Sequence, residues 1–180
     1  MTFTPASREE LGLPAGGNFH RLLFNESAQT TIVAMEVPGS HTSLGRLYWR
    51  KRTWPQYRPV PPPAEDFSLH GAVTGFGAKL FFLATRFFPT AAVIGGDNPL
   101  LGVFDLRKGR SRYLRLFFED GTDRPIGELT GVSHTGRELF CSVGFREKGS
   151  MGTQMVYRMC RLNLASGEVT PLTLLAAVFY

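Results

Sequence analysis

Four histidines and two cysteines are the side chains best suited to metal, acid–base or thiol chemistry in this 180-residue chain. His20, His41, His70 and His134 stand apart from one another. No two have the i, i+2 or i, i+4 spacing that turns a pair of imidazoles toward one metal ion from a strand or a helix. The sequence therefore implies no metal site and no cofactor site, and it assigns no catalytic residue. His20 and His70 precede inner strands by similar distances and could face a common channel. A catalytic role for His70 or His134 would require an orienting carboxylate from Asp66, Asp105 or Asp123. Gly75-Phe76-Gly77-Ala78-Lys79 has neither the length nor the following helix of a phosphate cradle and reads as a tight turn. Gly131-Val132-Ser133-His134-Thr135-Gly136 fails as a nucleophile elbow, because its second glycine comes one place late. Cys141 and Cys160 are too few for a disulfide framework and read as reduced, buried thiols, although a bridge between them is geometrically conceivable.

The basic residues are more patterned. Arg50, Lys51, Arg52 and Arg58 cluster with Tyr48, Trp49, Trp54 and Tyr57, while Arg107, Lys108, Arg110 and Arg112 cluster with Tyr113. A rim of this kind can hold phosphates and stack bases, and the formal charge of +5 permits an anionic partner. Charged outer strands also protect a sheet edge from unwanted pairing. Binding through Arg50, Lys51, Arg52, Trp54, Arg107, Lys108, Arg110, Arg112 and Tyr113 is thus an expectation that ranks behind protein–protein contact.

Positioning these residues is the work of short strands. Hydrophobic residues make up 43% of the chain and charged ones 19%, with 15 Phe, 20 Gly and 12 Pro, a composition for strands and tight turns and not for long helices. Ser7-Arg8-Glu9-Glu10 has the form of a capping box and predicts one short N-terminal helical turn, stopped by Gly12 and Pro14. The remainder alternates in three units, over about residues 19–60, 67–117 and 126–172 of a single domain spanning 1–180. Gly77-Ala78-Lys79-Leu80-Phe81-Phe82 aligns with Gly136-Arg137-Glu138-Leu139-Phe140-Cys141 at a shift of 59 residues. Val103-Phe104-Asp105-Leu106-Arg107-Lys108-Gly109 aligns with Arg161-Leu162-Asn163-Leu164-Ala165-Ser166-Gly167 at a shift of 58. Two landmarks at nearly one offset denote a repeat, and a repeated four-strand unit denotes propeller blades. Unit one matches least, its second strand aligning at a shift of 48. In unit three, folding about Ser150 and Met151 sets Cys141 opposite Cys160, Val143 opposite Arg158 and Phe145 opposite Val156.

Unit three resembles the repeats of the periplasmic Tol-system propeller and the prolyl oligopeptidase propeller. Those repeats carry an early S-x-D-G-[KR]-x-[IL] element and a late D-L-x-x-G-x-x-x-x-L-T element. Here Ser133-His134-Thr135-Gly136-Arg137-Glu138-Leu139 and Asn163-Leu164-Ala165-Ser166-Gly167-Glu168-Val169-Thr170-Pro171-Leu172-Thr173 take those forms, with His134-Thr135 and Asn163 as departures. The resemblance implies an all-β fold of antiparallel four-stranded blades, a partial or half β-propeller. It implies nothing about activity, because such repeats occur in enzymes and scaffolds alike.

A closed propeller usually needs at least four blades. Two copies could close a six-bladed ring, the chain could be a piece of a longer propeller, or the units could wrap into a small barrel or sandwich. The apolar segment of Leu174, Leu175, Val178 and Phe179 is expected to join self-association. The expected function is a non-catalytic binding or scaffold module, pairing with a second copy as a homodimer or with another propeller segment. A hydrolase-like enzyme with a channel-facing pocket and a nucleic-acid binder are the alternatives. The first residues lack a basic start followed by an apolar core, and no apolar run is long enough to span a bilayer, so a cytoplasmic location without membrane contact is expected.

Overall fold

The computed structural model describes residues 6–38, 43–75, 77–86, 99–115, 126–149 and 152–172. His41, Asp123 and the Leu174, Leu175, Val178 and Phe179 segment lie outside the described residues. Twelve strands form three antiparallel four-stranded meanders, each in the order of the chain. Blade 1 holds β1 (Asn18–Asn25), β2 (Thr30–Pro38), β3 (Ser43–Lys51) and β4 (Arg58–Pro59). Blade 2 holds β5 (Phe67–Thr74), β6 (Lys79–Arg86), β7 (Leu100–Asp105) and β8 (Arg110–Leu114). Blade 3 holds β9 (Ile126–Val132), β10 (Glu138–Gly149), β11 (Gly152–Asn163) and β12 (Val169–Pro171). The sheets do not close into a barrel, which removes that alternative.

The repeat is visible in its turns. Asp105 Oδ1 accepts the amides of Arg107 and Lys108, both at 2.9 Å, and Asn163 Oδ1 accepts those of Ala165 and Ser166 at 2.9 and 3.2 Å. Both turns end on a glycine with positive φ, Gly109 at 67° and Gly167 at 77°, a backbone region that disfavours a Cβ. A side-chain oxygen caps this turn with or without a charge, which is why Asn can replace Asp in unit three. Desolvation pushes Asp105 up, but the amides of Lys108 and Arg107 and the ammonium groups of Lys108 and Lys79 outweigh it, so its pKa lies below the usual carboxylate value. A depressed folded pKa contributes stability above the unfolded value of about 3.9 that is lost as pH falls through the folded one. We expect Asp105→Ala to lower stability by about 1–2 kcal/mol at neutral pH, and Asp105→Asn to retain most of it while removing this acid-side dependence. Urea unfolding at pH 7 and pH 3 measures both.

The N-terminal capping box forms in both directions. Ser7 N–H donates to Glu10 Oε2 at 2.7 Å, and Glu10 N–H donates to Ser7 Oγ at 3.1 Å. It closes the single short turn expected, and the described residues contain no longer helix. Gly12, at φ 71°, reverses the chain after one turn, and Tyr57 N–H then fixes the Leu11 carbonyl at 2.7 Å. The turn goes no further because this segment is drawn onto blade 1, where Leu11 and Leu13 cover Val33, Met35, Tyr48 and Tyr57.

Two further cores lie between blades. Ile32, Leu47 and Trp49 of blade 1 pack on Leu69, Leu80, Phe82 and Phe104 of blade 2. Val73, Phe81, Leu83, Leu101 and Val103 of blade 2 pack on Leu139, Cys141, Val143, Cys160 and Leu162 of blade 3. Each blade therefore presents one face backward and one forward along the series. This ordering corrects the alignment of unit one. Leu80 faces backward, whereas Ile32, its partner at a shift of 48, faces forward. The first residues of the second strands, Thr30 and Lys79, stand 49 apart, and a slip of one residue exchanges the faces of a strand. The β10–β11 hairpin has the register expected, with Cys141 opposite Cys160, Val143 opposite Arg158 and Phe145 opposite Val156.

Candidate functional site: two open blade faces, an inner-strand cleft and a basic rim

The backward face of blade 1 and the forward face of blade 3 have no neighbouring blade within the described residues. Leu22 pairs with Val33, Phe19 with Met35 and Phe24 with Thr31, so all three side chains lie on the backward face of blade 1. They are 58%, 54% and 57% exposed. Leu11 and Leu13 pack on β2, β3 and Tyr57 of that face. On blade 3, Met155 and Tyr157 alternate with Val156, Arg158 and the inward-facing Cys160, which places them on the forward face. Leu172 N–H donates to the Met159 carbonyl at 2.8 Å and continues the same register, bringing its side chain to that face as well. All the exposed large hydrophobic residues among those described, Phe19, Leu22, Phe24, Met155, Tyr157 and Leu172, thus lie on these two faces.

The innermost strands of blades 1 and 2 each carry an irregularity, at His20 between Phe19 and Arg21, and between His70 and Val73. Bulges re-aim side chains, and here they open a cleft of about 430 Å³ bordered by His20, Arg21, Glu36, Ser68, His70 and Gly71. His20 and His70 do line one space, but they stand within the inner strands β1 and β5 and not ahead of them as expected. Their partners differ from those expected. His20 Nε2 stands 3.5 Å from Glu36 Oε2, and His70 Nε2 stands 2.8 Å from Thr85 Oγ1. His70 is open at one edge, yet the cleft walls desolvate it and push its pKa below the ordinary histidine value. Asp66 is taken by Arg86 at 2.6 Å, and the arginine hydrogen bond holds its carboxyl below the usual range. His70 therefore meets neither Asp66 nor Asp105, and His134 is exposed in the β9–β10 turn. No cluster of three or more His, Cys, Asp or Glu suited to a metal ion occurs among the described residues.

Asn25 was not legible as a key residue. It is 1% exposed, accepts the Ala28 amide on Oδ1 at 2.8 Å, and directs its amide nitrogen to Thr74 Oγ1, Gly75 O and Gly77 O at 2.7, 3.0 and 2.8 Å. This side chain clamps the top of β1 to the β5–β6 turn across the blade seam. Nothing in local sequence marks an asparagine as an interblade clamp.

Most cations of the expected rim are exposed, but its aromatic rings are committed inside the fold. Trp49 is 5% and Tyr57 9% exposed. Trp54 is half-buried, 4.7 Å from Trp49 between ring centres, with Arg58 stacked over it at 4.1 Å and Lys51 at 5.2 Å. Arg50 lies 4.8 Å over Tyr57. Tyr113 donates its hydroxyl to the Pro61 carbonyl, and burial pushes its pKa up. Arg52, Arg107, Lys108, Arg110 and Arg112 are exposed. Cys141 and Cys160 are free, fully buried thiols; burial, and then the neighbouring Cys160, push Cys141 up to about 12. No helix of the described residues is long and apolar enough to cross a membrane.

An open series of four-stranded blades with conserved facing defines the class to which this fold belongs, and the known structures agree at that level. A solved GH74 xyloglucanase from Xanthomonas campestris, a protein with a β-propeller domain, superposes with a TM-score of 0.54 at 14% identity. The match covers 87% of this chain but 22% of that one, so the likeness is one of fold. No protein family and no curated protein matches the sequence.

Proposed function

We propose that this chain is a non-catalytic binding module of propeller type, whose two open blade faces pair with a second copy of itself. The observation that supports this reading is the confinement of every exposed large hydrophobic residue described to those two faces. A fully buried side chain of this size contributes about 1.5–3 kcal/mol relative to a wet one. The forward face of blade 3 and the backward face of blade 1 are also the two kinds of face that already pack together at both blade seams. A two-fold axis would set blade 1 of each copy on blade 3 of the other and close six blades into a ring. Such a ring leaves the basic rim outside the contact and places the His20 and His70 cleft near the inner strands.

Mixed crosslinking tests the arrangement. With Leu22→Cys in one preparation and Tyr157→Cys in another, a disulfide-linked dimer is expected only when the two are combined under mild oxidation. The native thiols stay silent, because Cys141 and Cys160 are both fully buried and burial holds the Cys141 thiol protonated at neutral pH. Crosslinking of Leu22→Cys alone would indicate a like-with-like contact and contradict the ring.

A further inference from the structure

The tip of blade 2 carries a run of positive charge that the fold does not neutralise. Lys51 and Arg52 leave the end of β3, and the Lys51 ammonium donates to the Arg107 carbonyl at 3.2 Å, joining the blade 1 cations to the β7–β8 turn. Arg107 and Lys108 are exposed on that turn. Beyond it, Lys79, Arg110 and Arg112 border a cleft of about 310 Å³. None of these side chains forms an ion pair with a carboxylate among the described residues. Asp105, the acid in the cleft, is held ionised by its own turn amides and offsets a single charge.

We infer that this run binds the phosphodiester backbone of a nucleic-acid strand, without regard to base sequence. A line of cations spread from one blade seam to the next suits a linear polyanion better than a compact one. The hot spots of protein interfaces usually set Trp or Tyr anchors beside Arg in well-packed pockets. Here the large exposed hydrophobics described all lie on the terminal blade faces, so the blade 2 tip offers charge without such an anchor. The same absence argues against insertion into a lipid surface. Base stacking is also unavailable, since Trp49 and Tyr57 are buried and Trp54 is occupied by Arg58, Lys51 and the Trp49 ring. Recognition therefore rests on phosphates, which gives position along the strand without sequence information. The inference is independent of blade pairing, because the run lies on the tip of the middle blade.

Fluorescence anisotropy with a labelled thymidine oligomer of about 20 nucleotides tests it. If about four phosphates are neutralised, the slope of log K against log salt is near −3 for a single strand, and affinity falls about 60-fold between about 50 and 200 mM salt. Arg107→Glu with Lys108→Glu reverses two exposed charges while leaving the backbone-capped turn intact. This variant is expected to bind at least about tenfold more weakly at about 50 mM salt, with a slope nearer −1.4. Arg146→Glu with Lys148→Glu, at the far end of blade 3, is expected to bind as the parent does. An adenosine oligomer of equal length is expected to bind within about threefold of the thymidine one. Absence of binding at low salt, binding insensitive to salt, or equal loss in the control variant would overturn the inference. Equal competition by polyglutamate of matched charge would instead make the surface a site for acidic protein and would also overturn it.

Discussion

Phe82→Ala is expected to be the most damaging single substitution in the chain, lowering stability by about 3–5 kcal/mol. Phe82 is fully buried on the backward face of blade 2, and its ring lies over Gly102, its direct partner on β7. It also meets the edge of Tyr113 at 5.9 Å between ring centres. A Cβ on Gly102 would stand under 3.0 Å from three carbons of that ring, and the ring is enclosed by the blade 1–blade 2 core. Gly102→Ala is therefore expected to cost about 1–3 kcal/mol by overpacking. The two losses should not add, since removing the ring also removes the clash. Urea midpoints of the two single variants and the double variant measure the coupling, and strict additivity would mean that ring and glycine do not form one packing unit.

The second large effect concerns assembly. Leu22→Asp with Phe24→Asp places two charges on the open face of blade 1, at positions 58% and 57% exposed in the single chain. Exposed substitutions of this kind seldom disturb folding, so the melting profile of the dilute monomer should move little. Burial against a second copy would desolvate both carboxylates, a penalty of several kcal/mol per ion, and dimerisation is expected to weaken by at least about 100-fold. Light scattering over a concentration series reads the change. A variant that associates as tightly as the parent would move the contact to another surface.

Much of this architecture was legible because particular residues determine it locally. The β10–β11 register followed from one apolar face repeated on both strands, and Ser7 with Glu10 announced their reciprocal hydrogen bonds. The Asp105 and Asn163 turns were found by their spacing before the glycines that need positive φ. Thr30–Pro38 was misaligned by one residue because both of its faces are covered. Ile32 and Ala34 face blade 2 while Val33 and Met35 lie under Leu11 and Leu13, so no alternation survives to set the phase. The bulge at Gly71, with φ at 60°, likewise interrupts the alternation of β5. Glu36 as the partner of His20, and Asn25 as the clamp, depend on contacts across strands and blades that no local spacing encodes.

Sedimentation velocity over micromolar concentrations tests most directly whether the open faces are an interface between copies. A concentration-dependent species at twice the 20.0 kDa chain mass is expected, lost in the Leu22→Asp and Phe24→Asp variant. A single species at 20.0 kDa throughout that range would contradict it.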